Sequence, residues 1–377
     1  MTQRRAEVVG AGFAGLTAAC ALAQRGWQVR VHERADRLRT TGAGIYLYEN
    51  SLRVLESFGA YDDAVRGAPI AHTREVRDDR NRTVAVHRWP SSIRVFAIVR
   101  QQVIDALAAA ARRLGAEIVT GSEGIAVTPE GEVTFADGSR TRADLIVAAD
   151  GTNSRLRDSL GLLSRRKPLP DGAIRLLIDT TDAERNATDI GTTVEYWSGS
   201  RRMLYTPCSA DKIYVALTML EGDAVARAIP LRRDIWKASF PHLTDLIDRL
   251  NDDGRYDRFE LIKLKRWSAG RVAVIGDAAH ALPPNLGQGG GCAMMNGLSL
   301  AVFCERDGDV PDALAAWEHQ ERPLTDHTQR ISHILGMPTT WPPALRALFF
   351  AVAGRSKWMV RQRTLTARHI PTGTQPR

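Results

Sequence analysis

Lysine is scarce in this chain. Only six of its 51 basic residues are lysine, so the formal net charge of +8 is carried almost wholly by arginine. Those arginines are spread along the whole length, and short basic runs such as Arg165, Arg166 and Lys167 are not interleaved with aromatics, which argues against a nucleic-acid surface. Cysteine is equally sparse. Cys20, Cys208, Cys292 and Cys304 have neither metal-ligand spacing nor the density of a disulfide framework, so a reducing cytoplasm is the expected setting. Long apolar runs are missing too. The stretch between Pro343 and Gly354 falls well short of the roughly 20 residues a membrane span needs. The run near the N-terminus is broken by glycines at a fixed spacing. There is no repeat, acidic tail or low-complexity tract, and 377 residues suggest two closely joined domains.

What is present begins with "RAEVVGAGFAGLTAACALAQRGWQVRVHER". A short apolar strand runs into Gly10-x-Gly12-x-x-Gly15, an Ala/Leu-rich helix follows, and a second strand ends at Glu33. Gly10 permits the tight turn, Gly12 lets a pyrophosphate approach the backbone, and Gly15 lets helix and strand pack closely, with the helix N-terminus facing the phosphates. Glu33 is placed to accept from a ribose diol, which suits FAD or NAD better than NADP. In "LRTTGAGIYLYENSLRVLESFGA", Gly42 and Gly44 make a second close-approach turn, and Arg39 beside it reads equally as a ribose or pyrophosphate ligand and as one more surface arginine. Arg100 starts a helix, where a cation opposes the dipole unless it meets an anion.

Two further strands end in acidic turns. "ADLIVAADGTNSRLRDSLGL" places Asp150 at a strand's carboxyl end, where an open parallel sheet presents ligand-binding groups, although a helix cap is an equal reading. "RVAVIGDAAHALPPNLGQGGG" repeats this strand, Gly-Asp and helix order at Gly276 and Asp277.

The middle of the chain changes period. "AIRLLIDTT", "TTVEYWS", "RRMLYTP" and "KIYVALTML" alternate with period two and are separated by turn residues, as antiparallel strands do. If "YTPCSADKIY" closes a hairpin, Arg202, Leu204, Tyr214, Ala216 and Thr218 share one face, with Arg202 and Tyr214 as near neighbours.

The motifs Gly10-x-Gly12-x-x-Gly15, Asp150-Gly-x-x-Ser154-x-x-Arg157 and Gly276-Asp277-Ala-Ala-His280-x-x-x-Pro284-x-x-Gly287-Gln288-Gly289, in that order, resemble the single-component FAD-dependent aromatic hydroxylases. "GAGIYLYENSLRVLESFGA", "RRMLYTPCSADKIYVAL" and "GCAMMNGLSLA" are closer in look to the 2-methyl-3-hydroxypyridine-5-carboxylate oxygenases. The resemblance implies an α/β fold: a Rossmann-like FAD-binding domain (residues 1–72, 96–165 and 262–340) with an inserted antiparallel-sheet substrate domain (73–95 and 166–261) and a helical tail (341–377).

It also implies roles. FAD would rest on Gly10, Gly12, Ala14, Gly15, Glu33, Arg34, Arg39 and Gly44. Arg100 would reach its pyrophosphate, Asp150 would support both FAD and transient NADH or NADPH, and Asp277 would bind a ribityl hydroxyl. Gly287, Gly289 and Gly290 would face the flavin ring. Pro284 would lie at the edge where O2 reacts, and Tyr46, Arg202 and Tyr214 would hold a small hydroxylated aromatic or pyridine carboxylate, which the enzyme would hydroxylate with or without ring opening. Arg202, Tyr214 and Pro284 are thus the catalytic candidates, His280 is scaffold, and a homodimer is possible. Many relatives carry an acid where Ser299 stands here. Rival readings on the same fold are an epoxidase, halogenase or reductase, or a non-catalytic flavin binder. The lysine and Trp-rich motif of a halogenase find no match.

Overall fold

The computed structural model describes residues 3–38, 43–187, 189–305 and 308–375. Its first sheet has six strands in the order Ser268–Ala269, Val272–Val274, Leu145–Ala148, Arg5–Val9, Gln28–Glu33 and Glu117–Thr120. All pair in parallel except the short Ser268–Ala269. Leu145–Ala148 and Val272–Val274 are apolar and buried on both faces because both faces are covered, whereas Gln28–Glu33 and Glu117–Thr120, toward one edge, carry polar residues. Helix Phe13–Gln24 packs between this sheet, helix Arg100–Arg113 and helix Gly289–Glu305. It is buried almost all round, and its Ala/Leu composition matches that position. Val133 and Phe135 of a small three-stranded sheet belong to the same core.

The second sheet has seven strands in the order Tyr256–Leu264, Leu163–Asp179, Lys212–Leu220, Arg201–Pro207, Thr192–Ser198, Thr73–Asp78 and Thr83–Arg88. Pairing is antiparallel except between Thr192–Ser198 and Thr73–Asp78. Its longest strand, Leu163–Asp179, shifts register between Pro168 and Gly172, where Pro168 and Pro170 lack the N–H a continuous ladder needs. One face buries Met203, Val215 and Leu217 against Trp236 and Phe240. The other face turns toward the parallel sheet, and the space between becomes a cavity.

Behind that cavity runs helix Val310–Gly336, followed by helices Pro343–Arg355 and Lys357–Arg368. No helix among the described residues is long and apolar enough to cross a membrane.

Candidate active site

The cavity encloses about 730 Å³ between the two sheets. On the parallel-sheet side its wall is mostly backbone. Gly10 adopts φ +107°, where a side chain would be strained, and a Cβ there would overlap the carbonyl of Ala149. A Cβ on Gly15 would overlap the carbonyl of Gly10, so this glycine is what lets the helix sit against the strand. Gly12 differs from both. A Cβ on it would meet nothing within 4 Å, because Gly12 faces open cavity at the N-terminus of helix Phe13–Gln24. That is the cradle a phosphate needs. Glu33 lies beside it, each carboxylate oxygen accepting one backbone N–H, from Ala11 and Ala35, both at 3.0 Å.

The three sequence motifs converge here. Gly276, at φ +63°, seats against the Cβ of Ala14 and so joins the first motif to the third. The buried guanidinium of Arg157 donates to the carbonyls of Thr152 (3.0 Å) and Ala278 (3.2 Å), tying the second motif to the third. Asp277 is exposed in an otherwise buried short helix, and it is exposed into the cavity. Arg100 faces the same space over the ring of Phe13 at 4.9 Å, and its Nε has no partner among the described residues. Burial pulls its pKa below the ordinary arginine value, against the opposing field of Asp277. A buried guanidinium without a carboxylate partner is costly unless an anion arrives.

Among the expected cofactor ligands, Gly12, Ala14, Gly44, Arg100, Asp277, Gly287, Gly289 and Gly290 line the cavity. Gly10 and Gly15 stand behind the wall. Arg34 is exposed and does not line it. Asp150 does not line it either. Its Oδ2 accepts from the N–H of Leu156 at 3.3 Å, the helix-capping reading, while burial raises its pKa and its Oδ1 has no partner among the described residues. Its neighbour Gly151 reaches the cavity instead. Arg39, with Gly42, lies outside the described residues.

The other wall is made of side chains. The hairpin register pairs Arg202 with Thr218, Leu204 with Ala216 and Thr206 with Tyr214, so the shared face is as the alternation predicts. Arg202 and Tyr214 are nevertheless not near neighbours. They stand four residues apart along the ladder, on the order of 13 Å at 3.3 Å per residue, with the Leu204 and Ala216 pair between them. Sequence alternation gives the face, whereas cross-strand register sets the spacing.

Arg202 is also not a free cation. Its Nη2 donates to Asp171 at 2.9 Å, its Nη1 lies 3.6 Å from Glu195, and its guanidinium stacks over Trp197 at 4.9 Å. Glu195 in turn accepts from Arg74 at 2.6 Å. Burial pushes the Glu195 carboxyl up, but Arg74 and Arg202 outweigh it and hold the group below its ordinary value. Burial raises Asp171, and Arg202 only partly offsets this. Trp197 is contacted from the tail as well, by Arg346 at 4.8 Å. None of these partners is among the sequence candidates. The available signal was Glu195 in "TTVEYWS", a carboxylate on an alternation otherwise fit for burial.

Tyr46 is held by Thr206 (2.5 Å) and Thr193 (3.2 Å), and burial raises its pKa. Tyr214 packs directly over Gly44, where a Cβ would come 2.6 Å from its ring. Pro284 begins a short turn that ends at Gly287, left-handed at φ +64°. Asn285 donates to the carbonyl of Ser332 at 2.9 Å, so the long helix behind fixes this loop. Tyr48, Trp89, Leu282 and Leu286 complete an apolar rim.

His280 stays out of the cavity. Its Nε2 accepts from Asn296 at 3.0 Å, its ring tilts against Trp267, and burial lowers its pKa to about 4, so it is a neutral structural group. Ser299 accepts from the indole N–H of Trp317 at 3.1 Å, which gives that position a packing role.

The FAD binding domain family matches residues 4–303. The 2-heptyl-3-hydroxy-4(1H)-quinolone synthase of Mycobacteroides abscessus is 41% identical over 362 residues, 95% of this chain and 96% of its own. The 6-hydroxynicotinate 3-monooxygenase of Bordetella bronchiseptica is 26% identical, covering 87% of this chain and 90% of its own. Among solved structures, the tetrameric form of 2-methyl-3-hydroxypyridine-5-carboxylic acid oxygenase superposes with a TM-score of 0.89 at 37% identity, covering 100% of this chain and 99% of its own. With an open phosphate cradle, an arginine whose Nε is unpaired among the described residues and three converging glycine turns in one cavity, the chain belongs to the FAD-dependent aromatic hydroxylases and is a flavoprotein monooxygenase.

Proposed function

We propose that this enzyme hydroxylates an uncharged nitrogen heteroaromatic bearing an apolar substituent, with a 2-alkyl-4(1H)-quinolone as the representative substrate. One observation carries the reading: Arg202, the cation expected to hold a substrate carboxylate, is already matched by Asp171 and Glu195. A third carboxylate placed there would face two existing anions. An uncharged ring instead meets the rim of Tyr48, Trp89, Leu282 and Leu286. The quinolone synthase relative, similar over almost its whole length, points the same way.

The chemistry FAD supplies when bound is acceptance of two electrons from NADH or NADPH and activation of O2, so that one oxygen atom enters the ring and the other leaves as water. This chain's residues supply position and dryness. Gly12 and the helix N-terminus behind it receive the pyrophosphate, Arg100 neutralises it, and Asp277 accepts from the ribityl chain. The backbone at Gly287, Gly289 and Gly290 supports the ring system, and the loop at Pro284 excludes water from its edge. Tyr214, kept a neutral phenol because burial raises its pKa and Arg175 and Arg100 only partly offset this, and Tyr46, fixed by two threonines, orient the substrate's ring oxygen and nitrogen. Ring opening is not required by this arrangement. The four buried, free cysteines suit a reducing cytoplasm.

The test is NADH or NADPH consumption with O2 uptake on purified yellow protein, comparing 2-alkyl-4(1H)-quinolones with hydroxypyridine carboxylates. Stimulation by the quinolones with product hydroxylation is expected. Stimulation by the carboxylates alone overturns the uncharged-substrate reading, and light scattering on the same preparation reads self-association.

A further inference from the structure

A second concavity, of about 440 Å³, lies on the far side of the strand pair Leu163–Asp179 and Tyr256–Leu264, under helix Val310–Gly336. Four cations line it: Arg165, Lys167, Lys263 and Arg330. Among the described residues none of the four has a carboxylate partner, and the carboxylate in the wall, Asp326, leans toward Arg322 at 3.5 Å instead. Elsewhere on this protein most surface arginines find an acid, so four unmatched cations around one hollow set it apart. Lys167 comes within 3.4 Å of His333 Nε2, and burial together with Lys167 and Arg165 lowers the pKa of that imidazole.

A second observation is independent of the charges. Gln329 lines the hollow and is 2% exposed, yet its Oε1 has no partner among the described residues. Its Nε2 is fully used, donating to the carbonyls of Ile262 (2.8 Å) and Ala281 (2.9 Å). A buried acceptor left open beside four cations asks for a ligand with both negative charge and an O–H or N–H donor. Only a thin wall separates this hollow from the flavin cavity. Leu261 on one side and Leu282 on the other belong to one apolar cluster, and Ala281, held by Gln329, lines the cavity itself.

We propose that this groove binds a phosphate-bearing nucleotide, its phosphates on Lys167, Lys263, Arg165 and Arg330 and a hydroxyl or amino group donating to Gln329 Oε1. Two sources share that chemistry: the adenylate half of the reductant NADH or NADPH, and a free nucleotide that takes no part in electron transfer. Lys and Arg at an exposed rim attract phosphate over about 10 Å at about 0.1 M ionic strength and over about 30 Å at about 0.01 M, so the interaction weakens with salt.

The experiment uses FAD-loaded enzyme and titration calorimetry at low salt with adenosine 2′,5′-bisphosphate and with pyrophosphate. It compares wild type with Lys263→Glu/Arg330→Glu, both exposed positions. Saturable binding in wild type, weakened about tenfold or more in the variant at unchanged 450 nm absorbance and melting temperature, is expected. A matching rise in KM for NADPH or NADH at unchanged kcat assigns the groove to the reductant. Lost binding with unchanged KM assigns it to a free nucleotide. No saturable binding in wild type, or equal affinity in the double variant, overturns the proposal. Quinolone-stimulated turnover is a separate readout, so a failure here leaves the substrate reading standing.

Discussion

On the parallel-sheet side the cavity wall is carried largely by glycine backbone: Gly12 at its open cradle, Gly10 and Gly15 packed behind it, and Gly287 to its rear. On the seven-stranded side it is side chain: the chain of ion pairs from Arg74 through Glu195 and Arg202 to Asp171, and the tyrosines at 46 and 214. The two constructions fail differently. A backbone wall fails by steric overlap, which is local and nearly all-or-none. A side-chain wall fails by losing charge balance, which is graded and changes what the site accepts.

The sharpest break in that contrast comes from Gly15→Ala. Its Cβ would occupy the place of the Gly10 carbonyl, so soluble holoprotein should be absent or colourless, read by 450 nm absorbance and thermal melting. Next in size is Glu195→Gln, which leaves Arg74 and Arg202 sharing no carboxylate. Breaking one buried pair this way costs about 3–5 kcal/mol, so the melting temperature should fall while bound flavin persists. Surviving enzyme should also bind hydroxypyridine carboxylates better than wild type does. A melting temperature equal to wild type would show that the network is not closed as described. Arg202→Ala attacks the same network from the other side, with FAD content kept, KM raised and peroxide released. Wild-type KM and coupling in that variant remove Arg202 from the substrate wall.

Gly12→Ala should be milder than Gly15→Ala because its Cβ enters open space. The apo fold should melt as wild type does, while FAD affinity drops about 10–100-fold, the cost of roughly 1.4–2.7 kcal/mol of lost phosphate approach. Equal destabilisation of the two apo variants would erase the distinction between cradle and packing glycine.

The smallest effect belongs to His280→Gln. In the fold, burial holds this imidazole's pKa at about 4, against 6.5 unperturbed. Between those values the unfolded chain binds more protons than the native one. The stabilisation is therefore fully present above pH 6.5 and is lost as pH falls toward 4. The variant should turn over within about threefold of wild type, under 1 kcal/mol in barrier, and its melting temperature should fall less between pH 7 and pH 5. His87, half-buried and likewise lowered to about 4, keeps part of the slope. An unchanged slope, or a large loss of kcat, would refute the scaffold role.

Much of the backbone wall was legible in the residues themselves. Gly10, Gly12 and Gly15 each answer a constraint set within a few residues, and the paired Gly-Asp turns announce strand ends in a parallel sheet. Period-two alternation likewise placed Arg202, Leu204, Tyr214, Ala216 and Thr218 on one face. Their spacing was not legible, because register is a property of two strands and a five-residue connection between Pro207 and Ile213. Asp171 and Glu195 went unnoticed because each looks ordinary in its own strand and gains meaning only opposite Arg202.

The sequence by itself thus determined where the chain turns, which helix end is open to a phosphate, and which residues face together, because those follow from sterics and periodicity over short distances. The tertiary structure alone decided that Arg202 meets Asp171 and Glu195, that Arg100 Nε is left without a partner among the described residues, and that His280 is buried out of the cavity. Those outcomes depend on desolvation and on which distant charge shares the same buried space, and neither quantity exists until the strands have paired.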